Sequence, residues 1–152
     1  MSKYINLASV RSDDQKRVME EIALNNHCPF CTENLTKYHK KPIIKEGKYW
    51  ILTDNQWPYE KTKNQLLAIN KRHIEHIKEL EPEAAAELLM LFAEEAEKRN
   101  IPGGAVVIRF GSNPEKGDYG SSVLHLHAHL IEPDMDAMEK DEVFRTRIAH
   151  RK

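Results

Sequence analysis

Residues 123–131 read Val-Leu-His-Leu-His-Ala-His-Leu-Ile, an alternation of apolar and imidazole side chains. A period of two is the pattern of a β-strand, whose side chains leave the sheet on opposite faces. Leu124, Leu126, Ala128 and Leu130 then turn toward a core. His125, His127 and His129 share the other face, successive ones about 6.7 Å apart. The apolar half explains a half-buried strand and leaves the imidazoles unexplained. Burial and like charge both oppose protonating all three, so a metal, an anionic ligand or hydrogen-bond partners should compensate them. The bland alternative is an exposed polar face.

The rest of the chain frames this strand. Ser12-Asp13-Asp14-Gln15 reads as a capping box opening a helix, with Val18, Met19, Ile22 and Ala23 on one face and Asn25-Asn26 at its end. A lysine-rich irregular segment follows to Gly47. Strands are expected at 49–53 and 66–69 with a loop at 54–64 between them. A helix starts at Pro82, carries Ala85, Leu88, Leu89, Phe92 and Ala96 as its stripe, and stops at Ile101-Pro102-Gly103-Gly104. A strand at 105–110 and a polar loop at 111–120 lead to the histidines. Residues 134–152 read as a charged peripheral tail or short helix. The sum is an α+β chain with a mainly antiparallel sheet, a long helix and an N-terminal helix. At 152 residues and 40% apolar it fits one domain.

Composition narrows the function. Lys and Arg number 23 against 24 Asp and Glu, a formal charge of -1, which excludes nucleic-acid binding by bulk charge. The longest apolar run, Leu88 to Ala93, is far short of the ~20 residues that span a bilayer. The first residues lack the apolar stretch of a secretory signal, so a cytoplasmic protein without membrane or nucleic-acid partners is expected. Two cysteines cannot build a disulfide framework. Cys28-x-x-Cys31 has the spacing of a zinc knuckle or a redox dithiol, and two inert thiols are the plain alternative. A closed zinc site needs two more ligands, and His27, His39, His73, His76 and the strand histidines all compete on spacing. Gly111-Ser112-Asn113 and Gly117 to Ser122 form a small, polar loop whose Ser121, Ser122 and backbone N–H groups suit phosphate oxygens or simple turn chemistry.

The block Leu66-Leu67-Ala68-Ile69-Asn70-Lys71-Arg72-His73-Ile74, followed by His125-x-His127-x-His129-Leu130-Ile131, resembles the histidine triad (HIT) superfamily. Asn113, the Gly120-Ser121-Ser122-Val123 approach and Asn55-x-x-Pro58-Tyr59 are similar to further blocks of that superfamily, the last to its dinucleoside polyphosphate branch. The resemblance implies a HIT-like fold in one domain over 1–152, with a helical extension at 1–26, the HIT core at 27–133 and the tail at 134–152. It implies that His127 is a nucleophile attacking the α-phosphate of a purine nucleotide conjugate, and that His129 contacts the phosphate or bridging oxygen. By the same resemblance Asn55, Asn113, Ser121 and Ser122 bind substrate, and Cys28, Cys31, His73 and His125 hold a structural zinc. A homodimer is the implied assembly.

Three positions depart from the pattern. Gln65 stands where many members have histidine, Asn70 replaces proline, and Ser121 replaces glutamine. The expected function is therefore a nucleotide hydrolase or nucleotidyl transferase. The alternative is a nucleotide-binding or partner-binding protein on a catalytically weak scaffold. A third reading makes His125, His127 and His129 themselves a catalytic metal site.

Overall fold

A computed structural model describes residues 2–151. Among these, the α-helices are Asp13–Asn25 (α1), Thr32–Tyr38 (α2) and Pro82–Lys98 (α3). The strands are Ile43–Glu46 (β1), Trp50–Asp54 (β2), Thr62–Asn70 (β3), Ala105–Arg109 (β4), Gly117–Asp118 (β5), His127–Pro133 (β6) and His150–Arg151 (β7). One five-stranded sheet runs β1-β2-β3-β6-β4, every neighbouring pair antiparallel, and β5 pairs with β7 apart from it. The fold is α+β, as the sequence indicates.

Alternation along the central strands sorts the sheet into two faces. Trp50 and Leu52 of β2, Leu66 and Ala68 of β3, and Ala128 and Leu130 of β6 meet Leu88, Leu91 and Phe92 of α3 in the main core. The opposite residues, Ile51, Leu67 and Ile69, pack with Leu35 of α2. Trp50 is fully buried, and its indole N–H donates to the Ala84 carbonyl at 2.7 Å. Such a buried Trp with its polar atom satisfied is worth several kcal/mol, of the order of the 3–5 kcal/mol lost on truncation to Ala. The Glu87 carboxylate accepts from the N–H groups of Lys48, Tyr49 and Trp50 at 2.7, 2.8 and 3.0 Å, which pins α3 to the β1–β2 turn.

Four local expectations are corrected. The segment before Gly47 is not irregular, since it holds α2 and β1. The α3 stripe is rotated: Ala84, Leu88, Leu91, Phe92 and Glu95 face inward, while Ala85, Leu89 and Met90 are exposed. Glu95 tolerates burial because Arg99, itself paired to Asp54, bridges to it at 2.8 Å. The capping box is displaced by one residue. Ser12 Oγ accepts from the Gln15 N–H, but Gln15 Oε1 accepts from Arg11, not Ser12.

The histidine strand also begins later than its alternation suggests. β6 starts at His127. Residues 122–126 are held instead by other segments. Ser122 O accepts from Asn6 N, Leu124 N donates to Tyr4 O, and Leu126 N donates to Ile74 O. Only His127 and His129 lie on β6, and His125 sits in this lead-in.

Candidate active site and metal cluster

Helix α1 ends on Asn26, whose left-handed backbone (φ 49°) turns the chain toward Cys28. Asn34 Nδ2 holds the Cys28 carbonyl at 2.9 Å, and Cys31 is the residue on which α2 begins. His73 comes from the turn after β3, and His125 from the lead-in to β6. Their donor atoms converge within 4.8 Å of one another. Cys28 Sγ lies 3.3 Å and Cys31 Sγ 3.9 Å from His125 Nδ1, Cys31 Sγ lies 3.4 Å from His73 Nδ1, and the two Nδ1 atoms are 3.2 Å apart. A tetrahedral zinc with Zn–S near 2.3 Å and Zn–N near 2.0–2.1 Å places its donors about 3.3–3.8 Å from each other. The donor set and spacing fit zinc.

The tautomer of His125 agrees with that fit. His125 Nε2 can only donate to the Asn70 carbonyl, at 2.6 Å, so its Nδ1 lone pair faces the thiols. Burial pushes the Cys28 thiol up, and burial together with the neighbouring Cys28 raises Cys31 to about 12. A redox dithiol has a thiol pulled down toward neutrality instead. The rival ligands are engaged elsewhere. His27 bonds Tyr38 Oη at 2.6 Å, and His76 caps a short 3-10 turn.

The other two histidines lie side by side on β6, ring centroids 5.3 Å apart, opposite Ile69 and Leu67 of β3. His127 Nδ1 donates to the His125 carbonyl at 2.7 Å, which leaves its Nε2 as a bare lone pair. Gln65 sets the other ring. Its Oε1 accepts from the Tyr59 N–H at 2.7 Å, and this turns its amide nitrogen toward His129 Nδ1 at 3.3 Å. His129 therefore accepts at Nδ1 and carries its proton on Nε2. Burial pushes His125 and His127 down to about 4. Burial, helped by the charges of His127, Arg109 and Arg11, sets His129 well below its ordinary value. All three are neutral at pH 7.

This has a consequence for stability. Unfolded histidine takes a proton near pH 6.5, while folded His127 and His129 stay neutral well below that. Their depressed values make stability fully present above about pH 6.5, and it drains as pH falls toward 4. Denaturant unfolding at pH 7.5 and pH 5 is expected to show a loss of about 2 kcal/mol or more at the lower pH.

His127, His129, Asn55 and Ser122 line one cavity of about 60 Å³, with Phe30, His39, Gln56, Trp57, Tyr59, Arg11 and Arg109. That is room for a few waters. Larger cavities of about 260 and 1010 Å³ contain neither histidine. Ser121 lines the 260 Å³ cavity instead, and Asn113 is bridged to Gly117. The structure thus brings Asn55 and Ser122 to the histidines, but not Asn113 or Ser121. His39, a competing zinc ligand on spacing, borders this cavity instead and donates from Nε2 to Thr53 Oγ1 at 2.8 Å.

The tail is no loose end either. Arg109 donates to the carbonyls of Ile148 and Arg147, and Arg147 pairs with Asp118 at 3.1 Å. Gly120, at φ 86°, is packed under this strap. A Cβ there would lie 2.3 Å from Ile148 O and 2.5 Å from Arg109 Nη1. Gly120→Ala is expected to cost about 2–3 kcal/mol and to loosen the tail, measurable as a lower melting point and faster amide exchange over 147–151.

The fold and these two clusters define a histidine-triad architecture. Residues 27–143 match the family model described as "Scavenger mRNA decapping enzyme C-term binding". The chain belongs to that family, within the histidine triad superfamily. Similar solved structures include one titled "Hit Like Protein", 27% identical, covering 62% of this chain and 88% of that one with a TM-score of 0.51. A HIT family hydrolase from Legionella pneumophila Philadelphia 1 is 24% identical, covering 68% and 90% of the two chains, TM-score 0.54. A Zn-bound histidine triad family protein from Mycobacterium smegmatis is 20% identical, covering 72% and 76%, TM-score 0.52. The last two likenesses concern fold. No curated protein matches the sequence. No helix among the described residues is long and apolar enough to cross a membrane.

Proposed function

We propose that the protein is a nucleotide hydrolase or nucleotidyl transferase that works through His127. The observation that carries this reading is the imidazole itself. It is buried, neutral at pH 7, anchored through Nδ1–H to the His125 carbonyl, and left with a free Nε2 lone pair at a polar cavity. Such a nitrogen is a competent nucleophile toward phosphorus. Nε2 attacks the α-phosphorus, an N–P bond forms, and the bond to the leaving group breaks with its electron pair on the leaving atom. Water or another acceptor then cleaves the N–P bond and returns His127 to its neutral form. His129, with its proton on Nε2, donates to the phosphate or bridging oxygen, and Ser122 adds a donor beside it. Asn55 lies at the same cavity, suited to the sugar.

Cys28, Cys31, His73 and His125 would hold zinc as a closed structural site. Bound there, zinc would supply a cross-link between the end of α1, the turn after β3 and the lead-in to β6. Held in that way, His125 would keep its carbonyl in place as the acceptor that orients His127.

Two successive displacements invert phosphorus twice. Hydrolysis of an adenylyl conjugate chiral at the α-phosphorus in isotopic water is expected to proceed with retention, and inversion would show direct attack by water. The second reading, a nucleotide-binding scaffold without turnover, is favoured by one observation, that Ser121 lies outside the cavity. AMP binding without cleavage of any adenylyl conjugate would support it.

A further inference from the structure

Arg109 is the one charged side chain that β4 sends to the cavity, directly across the sheet from His127. It is 5% exposed, and the partners of its guanidinium are all neutral. Nη1 donates to Ile148 O, and Nη2 donates to Tyr59 Oη and Arg147 O. Nε is buried without a partner. Arg11 approaches from the other side. Its guanidinium lies 4.1 Å above the Tyr59 ring and donates to Trp57 O at 2.8 Å. No carboxylate reaches either arginine among the described residues. A buried cation without a counter-charge is costly, and a guanidinium that lines a cavity is a natural donor to an anion.

The position of this charge matters. Tyr59 joins the two guanidinia, and its ring centroid is 5.9 Å from that of His129. His129 is the proposed donor to the bridging oxygen, so the two cations gather where a leaving group would sit. We infer that Arg109 and Arg11 form a subsite for a phosphorylated leaving group and are the residues that set a preference for anhydride over phosphoramidate bonds. This rests on the His127 reading for its catalytic meaning.

The chemistry separates the two classes. When Nε2 of His127 forms its bond to the α-phosphorus of an anhydride, the P–O bond breaks and the electron pair stays on the departing phosphate oxygen. The new negative charge needs no proton, only cations close by. An amine leaving group takes a proton as its P–N bond breaks and gains nothing from two arginines. A cationic subsite thus favours the first and works against the second.

The test uses the full chain loaded with zinc and two substrates sharing one adenylyl group, diadenosine tetraphosphate and adenosine 5′-phosphoramidate. Arg109→Gln should lower the kcat/KM ratio of anhydride to phosphoramidate at least 30-fold, the scale of a lost charge-assisted contact. Arg11→Ala, at the exposed mouth and less able to disturb folding, should lower it about 10-fold. An unchanged ratio in both variants overturns the inference. If the native protein cleaves neither substrate, the His127 reading fails by itself. Calorimetric titration with inorganic triphosphate then decides the subsite: binding at least 10-fold weaker in Arg109→Gln upholds it, and equal binding overturns it.

Discussion

Replacing His127 by alanine should abolish turnover, with kcat reduced by at least about 10⁴-fold, the scale seen when a nucleophile is removed. The loss should not be structural in origin. His127 packs edge-on against Phe30 at 5.2 Å and bonds a main-chain carbonyl, so truncation leaves a small hole and removes no charge. A fall in stability of about 1–3 kcal/mol is expected, and zinc content should stay at the native level. Turnover assays, thermal melting and metal analysis on one preparation separate these effects. If the three histidines together held a catalytic metal, the same variant would lose its zinc. The structure argues against that arrangement, because His125 faces the cysteines while His127 turns Nδ1 away to a carbonyl.

Cys28→Ser carries the other large effect. It should release zinc and lower the melting point by about 10 °C or more. A chain of this size shifts ~2–4 °C per kcal/mol, and structural zinc stabilises folded states by many kcal/mol. Activity should fall with it, since the cluster ties the segment carrying His125, whose carbonyl orients His127, to Cys28 and Cys31. His127→Ala keeping zinc and Cys28→Ser losing it is the pattern of a structural site. The opposite pattern would move the metal to the catalytic histidines.

Much of this is legible in the residues. The alternation around Ala128 and Leu130 fixes a strand with one face in the core, and β2, β3 and α3 follow from aromatic, β-branched and helical patterns. Cys28, Cys31, His73 and His125 do come together. What stays hidden has physical causes. A seven-residue helix and an exposed four-residue edge strand, α2 and β1, are too short to show a period. The Ala84–Ala86 run lets two adjacent stripes fit α3 equally well. The break before His127 is set by main-chain hydrogen bonds to the Tyr4 and Ile74 carbonyls and from the Asn6 N–H, and side-chain alternation is blind to them. Arg109 was detectable only as a lone charge ending the apolar run Ala105–Ile108. Its contacts to Arg147 and Ile148, and those of Gln65 to Tyr59 and His129, depend on the folded chain.

The central claim is a covalent bond between His127 and the substrate's α-phosphorus. Rapid mixing with an adenylyl substrate, acid-free quenching and peptide mass spectrometry tests it most directly. The account predicts one added adenylyl group on the peptide bearing His127, absent from His127→Ala. Product formed at the native rate with no adduct at His127, or an adduct on another residue, would contradict it.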